Sequence, residues 1–193
     1  VNDVTYESKP WVYSYEPGVP ENAEYEETCL PAFLDRSAEQ FPEQMALSFQ
    51  GYTVTFRQLK DMVDRFAAYL KSLGLGKGDA VAILLPNLIP CVVAYYATLK
   101  IGGIVVMNNP LYTDRELEHQ FVDSGSKILI TLDLLGNRMI DLRPRTHIEE
   151  IVYTSIGDYL PFPKNLLFPL VGKKKNWPRM SNPPTKFTDG KRF

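Results

Sequence analysis

The stretch from Asp79 to Tyr112 constrains the fold more than any other part of this chain. Ala80 to Leu85 is a short, wholly apolar run between Gly78-Asp79 and Pro86-Asn87, the pattern of a strand buried on both faces. Asn87 is read as an N-cap, and Pro90 falls in the first helical turn, where its missing amide donor costs nothing. A helix is therefore predicted from about Ile89 to Lys100. Gly102-Gly103 stops it. Ile104 to Met107 is a second β-branched run, closed by Asn108-Asn109-Pro110. Strand, helix and strand in that order imply a parallel pair joined by a right-handed crossover, one βαβ unit of an α/β domain.

The flanking segments extend that unit. Thr28 is read as the N-cap of a first helix, with Leu30, Phe33, Leu34, Ala38 and Phe41 at helical spacing before Pro42. Met45 to Gln50 and Thr53 to Phe56 alternate around Gly51-Tyr52 and read as a hairpin. Thr55 and Gln58 make a capping box for a helix whose apolar face runs from Leu59 to Leu73. Thr113 and Glu116 make a second, with Leu117, Phe121 and Val122 inward. Lys127 to Thr131 is the next strand, Asp133 to Asp141 a short helix with Leu134, Leu135 and Met139 inward, and Ile148 to Thr154 a further strand. The expected fold class is α/β, a mainly parallel open sheet with flanking helices plus an N-terminal β-hairpin.

Several ordered motifs carry a family resemblance. GDAVAILLPN, an apolar helix, Gly-Gly, a hydrophobic strand, NPLYT and RELEHQ (Arg115 to Gln120) resemble the N-terminal part of the AMP-forming acyl-CoA synthetases, most like the long-chain fatty acid–CoA ligases. The likeness runs roughly from Leu30 to Pro169 and takes in VTFRQL, DSGSKILIT and DYLPFPKNLLFP. Met107 departs from the Pro or Asn more usual there. The resemblance implies part of the large domain of an adenylate-forming enzyme whose parent uses ATP, Mg²⁺ and coenzyme A to convert a fatty acid to acyl-CoA, AMP and pyrophosphate. The implied partners are the rest of the same large domain, the fatty acid and, through the N-terminal arm, a second subunit.

The groups that such chemistry needs are not seen in these residues. The family's phosphate loop is rich in Ser, Thr and Gly and ends in Pro-Lys-Gly. Tyr153 to Asp158 starts in a similar way, but Ile156 stands where a Gly is required, Asp158 sets an anion beside the phosphates, and no Pro-Lys-Gly follows. Gly74 to Asp79 leaves a helix and enters a strand, the reverse of a phosphate-binding glycine turn, and Gly74 reads as a left-handed helix terminator. His119 and His147 stand beside acids with no triad or zinc spacing. Catalytic, cofactor-binding and metal residues are accordingly expected to lie outside this chain, and no cofactor is expected on it alone. Cys29 and Cys91 read as small core residues.

Charge gathers at the ends. Val1 to Glu27 carries seven acids against Lys9, and from Lys164 onward eight bases face Asp189 alone. Residues 1–28 form an aromatic, acidic arm whose rings are expected to lie across a surface, 29–155 the α/β subdomain, and 156–193 a Pro/Lys-rich linker with a flexible end from Ser181. Leu160 to Arg179 sets apolar residues before Lys173, Lys174, Lys175 and Trp177, a composition suited to a lipid headgroup boundary. Its prolines argue against a long amphipathic helix and favour a packed linker. The net charge of −2 gives no electrostatic reason to propose nucleic acid. Without a membrane-length apolar run or an apparent leader, the expected place is the cytoplasm or the membrane periphery. Two rivals share the pattern: another adenylate-forming enzyme acting on aryl, short-chain or amino acids, and a stand-alone α/β interaction module.

Overall fold

A computed structural model describes residues 5–178 and 185–186. The predicted βαβ unit is its centre. Strand β3 (Ala80–Leu84) is buried along its whole length and pairs in parallel with β4 (Ile104–Met107) on one side and β5 (Ile128–Leu132) on the other. Beyond β5 lie β6 (Glu150–Thr154) and a two-residue β7 (Thr185–Lys186), also parallel. The order is β4-β3-β5-β6-β7. After β4 the chain crosses back over β3 to reach β5, so the winding direction switches between β3 and β5. β7 falls within the end expected to be flexible and gives those two residues a place in the sheet; the rest of that end, 181–184 and 187–193, lies outside the described residues.

Alternate residues of each strand feed opposite layers, as the two-residue period of a strand requires. Val81 and Ile83, with Ile128, Ile130 and Val152, face a layer built on Leu59, Val63, Phe66 and Leu70 of α2 (Phe56–Ser72) and Val93, Ala94 and Ala97 of α3 (Ile89–Lys100). Ala82, Leu84, Leu129 and Ile151 face Leu117 and Phe121 of α4 (Asp114–Asp123) and Met139 and Leu142 of α5 (Gly136–Leu142). Burying a side chain such as Phe66 or Phe121 stabilises by about 1.5–3 kcal/mol before cavity effects are added.

Both predicted capping boxes form. Thr55 Oγ1 accepts from the Gln58 N–H while Gln58 Oε1 accepts from the Thr55 N–H, and Thr113 and Glu116 repeat the exchange. The other two predicted caps do not. The N-cap of α1 (Leu30–Gln40) is Cys29 and that of α3 is Leu88, neither with a side-chain bond, because Pro31 and Pro90 near the helix start already remove a donor that would want one. Cys29 is exposed at that boundary, against the expectation of a core residue, whereas Cys91 is buried. The hairpin β1 (Met45–Phe49) and β2 (Tyr52–Thr55) turns at Gln50-Gly51, both at positive φ, one residue earlier than predicted. Gly74 is left-handed as expected, at φ 85°.

Three segments differ from expectation. Asp133–Leu135 is a 3₁₀ turn leading into α5, and of the three side chains expected inward only Met139 is fully buried. The linker contains a helix, α6 (Lys164–Lys174), eleven residues long with Pro169 inside it. The arm forms 3₁₀ turns at Tyr6–Ser8 and Pro10–Ser14. Three of its rings, Tyr6, Tyr13 and Tyr25, are more than four-fifths exposed, while Trp11 and Tyr15 are 38% and 41% exposed. Arg36 of α1, paired at 2.8 Å with Glu26, ties the arm's end to the domain.

Candidate functional site

In open α/β sheets ligands gather beyond the carboxyl ends of the strands, at the point where winding reverses. Here that edge is made by Leu85-Pro86-Asn87 after β3, Asn108 after β4, Asp133 after β5 and Ser155 after β6. Thr131 Oγ1 donates to the Leu84 carbonyl at 3.3 Å and joins the two strands at the switch. Asn108 is almost wholly buried: its N–H donates to the Ile83 carbonyl at 2.9 Å and its Nδ2 to the Val106 carbonyl at 2.8 Å. Asn108 Oδ1 and the buried Thr154 Oγ1, at the end of β6, have no hydrogen-bond partner among the described residues. Sequence reasoning missed both. Asn108 read only as a strand terminator, and a Thr in a β-branched run carries no local sign of an unmet hydroxyl.

Two cavities open near this edge. One of about 320 Å³ is lined by Asp133, Leu134, Ser155, Phe168, Gly172 and Trp177, so α6 roofs the ends of β5 and β6. The other, about 260 Å³, is an apolar slot between Leu47 and Phe49 of the hairpin and Leu88, Cys91 and Val92 at the start of α3. Burial pushes the Cys91 thiol up, which keeps it protonated and a poor nucleophile.

Of the two glycine-bearing turns singled out in the sequence, the first uses its amides internally. At Gly74 to Asp79, the Gly76 N–H donates to Asp79 Oδ2 at 2.8 Å, the Gly78 N–H to the Gly102 carbonyl at 3.0 Å, and the Asp79 N–H to the Gly76 carbonyl at 3.2 Å. Asp79 thus occupies the place an anion would take. Lys127, 2.7 Å away, and the Gly76 amide hold its carboxyl below the usual range. The turn also lies at the opposite end of the strands from the switch edge. At Tyr153 to Asp158, the Asp158 N–H donates to the Ser155 carbonyl, and a Cβ on Gly157 would stand 2.7 Å from Phe168 Cδ1. Helix packing therefore accounts for that glycine.

His119 and His147 are both exposed and far apart in the sequence, and no cluster of three or more His, Cys, Asp or Glu side chains suited to a metal ion occurs among the described residues. Of the residues singled out for lipid contact, Lys173, Lys174 and Lys175 are exposed at the end of α6. Trp177 turns back onto Phe168, ring centroids 5.1 Å apart.

A model of the AMP-binding enzyme family matches residues 34–189. The chain belongs to that family. The long-chain-fatty-acid–CoA ligase of Bacillus subtilis (strain 168) is 43% identical over 167 residues, which cover 86% of this chain and 30% of the relative. Among solved structures, a long-chain-fatty-acid-CoA ligase from Archaeoglobus fulgidus superposes with a TM-score of 0.65 at 26% identity, covering 72% of this chain and 29% of that one. An anthranilate CoA ligase in complex with anthranoyl-AMP gives 0.63 at 25% identity, covering 70% and 27%. This AMP-binding family chain therefore spans about 30% of the length of the curated relatives it matches.

The described residues alone do not fit a nucleotide triphosphate. A triphosphate needs several convergent donors and a carboxylate-held cation. The switch edge offers instead two isolated unmet oxygens and a carboxylate, Asp133, while the Gly76, Gly78 and Asp79 amides of the first glycine-bearing turn are committed. The carboxyl edge of the sheet thus presents four loops, after β3, β4, β5 and β6.

Proposed function

We propose that this chain is the N-terminal share of a long-chain fatty acid–CoA ligase, an AMP-forming acid–thiol ligase converting ATP, a fatty acid and coenzyme A to acyl-CoA, AMP and pyrophosphate. The identity with the Bacillus subtilis ligase across most of the chain carries the reading. In it, Mg²⁺ and the triphosphate are held by residues of the rest of the large domain, and this chain supplies the sheet against which they are built. The exposed tyrosines of the arm suit a homodimer contact. The cytoplasm, at the membrane periphery, suits a soluble cofactor and an apolar substrate.

A second reading, activation of an aryl acid, draws on the likeness to the anthranilate ligase. Expression of the whole open reading frame that encodes this chain, assayed with ATP, coenzyme A and either palmitate or benzoate, separates the two. Palmitoyl-CoA with stoichiometric AMP is the expected result; benzoyl-CoA alone supports the aryl reading, and no AMP from either acid refutes both. The 193-residue chain by itself is expected to release no pyrophosphate from ATP and palmitate.

A further inference from the structure

α6 is apolar on two sides, and only one of them is packed. Phe168 and Gly172 face inward: the Phe168 ring covers Gly157, and the Trp177 ring closes over Gly172, where a Cβ would meet it at 3.0 Å. Leu166, Leu167, Leu170 and Val171 recur at i, i+1, i+4 and i+5 and so form one contiguous stripe on the other side. They are 63%, 51%, 62% and 42% exposed, and Phe162, just ahead of the helix, is 79% exposed. A helix apolar on all sides is ordinarily covered.

Charge decides what covers it. From Tyr159 to Pro178 there are four bases, Lys164, Lys173, Lys174 and Lys175, and no acid. All four are exposed. Helical spacing sets Lys173 in line with Leu166 and Leu170, and Lys174 in line with Leu167 and Leu170, so the bases continue the stripe at its C-terminal end. There they also complement the helix dipole. Lysine stems can follow the apolar surface while their ammonium groups rise to the plane of headgroup phosphates.

We propose that α6 docks this chain on an anionic lipid bilayer, its leucine stripe in the interface and Lys173 and Lys174 at the headgroups. The leucines, Lys173 and Lys174 make the contact; Trp177, turned inward, and Lys175, whose ammonium lies over the Trp177 ring 5.9 Å from its centroid, do not. A helix of eleven residues, about 16 Å long, binds reversibly and does not span. The inference is independent of which acid the parent enzyme activates.

The test is co-sedimentation of the chain with vesicles of phosphatidylcholine plus phosphatidylglycerol, and with phosphatidylcholine alone. Binding to the anionic vesicles at low salt, weak binding to the neutral ones and release by high salt are expected. Each lysine near an anionic surface is worth about fivefold, so the double variant Lys173→Gln, Lys174→Gln should bind roughly 25-fold more weakly. Leu167→Ser with Leu170→Ser should lower binding roughly tenfold without moving the thermal melt, because the stripe touches no core. Absent binding to anionic vesicles, equal binding to both kinds, or an unchanged lysine variant would overturn the proposal. So would a lipid-free dimer by light scattering that the leucine variant abolishes, since a second copy would then cover the stripe.

Discussion

Replacing Lys100 by Met should destabilise the domain measurably although no core side chain is lost. Lys100 Nζ lies 2.9 Å from Asp35 Oδ1 on α1 and 2.5 Å from Asp64 Oδ1 on α2, while Lys60 reaches Asp64 Oδ2 at 2.5 Å and Asp35 Oδ1 at 3.6 Å. Two cations and two carboxylates thus join three helices. The side chains of Lys100, Asp64 and Asp35 are 27%, 37% and 34% exposed. Exposed pairs are worth about 0–1 kcal/mol and breaking a fully buried one costs about 3–5 kcal/mol. Discounted for solvent screening, the loss here should be about 1.5 kcal/mol, because Met keeps the aliphatic stem and Lys60 still serves both carboxylates. For a domain of this size that is a fall of about 3–6 °C in Tm.

The pH dependence follows from the same cluster. Burial works against the charge on Asp64, but hydrogen bonds from Lys100 and Lys60 outweigh it and the carboxyl titrates below its ordinary value. Its contribution is therefore present above the unfolded-state pKa and is lost as pH falls through the lower folded value. Burial likewise opposes the charge on Lys100, and Asp64 and Asp35 outweigh it, so that amine titrates above its ordinary value. Its contribution is present below the unfolded-state pKa and is lost as pH rises through the folded one. Thermal melts by circular dichroism of the parent, Lys100→Met, Asp64→Asn and the double variant should show a positive coupling between the two sites that shrinks in high salt. Strictly additive single effects, or a Lys100→Met melt indistinguishable from the parent at neutral pH, would refute this account of the cluster.

Two further outcomes are open to direct measurement. Gly157→Ala should force Phe168 out of its seat and loosen α6, seen as a change in Trp177 fluorescence with the main melt little altered, since that helix stands outside both core layers. In the native chain Cys29 should react promptly with a thiol reagent and Cys91 only on unfolding, giving one fast equivalent and one slow.

What was legible in the sequence was whatever physics acts over a few residues. The Thr55/Gln58 and Thr113/Glu116 boxes close over three positions, and the short, wholly apolar run of β3 between turn residues reads as a strand covered on both faces. The misplaced caps are also local: Thr28 and Asn87 have the right chemistry, but each lies one residue before the true helix boundary. Cys29 was misjudged because an apolar neighbourhood in sequence says nothing of which way a helix start faces. By contrast, the Asp35–Lys100 tie joins residues 65 apart, and nothing in either neighbourhood announces the other. The strand order was equally hidden, since alternation of strands and helices fits several windings.

The candidate site divides in the same way. Rejecting Gly74 to Asp79 as a phosphate turn needed only the direction of the chain, from helix into strand, and the structure adds the reason in atoms: Asp79 fills the turn with its own carboxylate. The unmet oxygens of Asn108 and Thr154 could not be foreseen, because burial without a partner is a property of the assembled edge. α6 shows the remaining limit. Prolines at Pro163 and Pro169 argued for an irregular linker, yet the first precedes the helix and costs it nothing, and the second falls midway through eleven residues that keep a helical path. The inward face of that helix seals the carboxyl edge through Phe168 and Gly172, while its outward leucines and lysines remain uncovered. A single short helix therefore closes the carboxyl edge of the sheet with one face and leaves an apolar, lysine-ended stripe uncovered on the other.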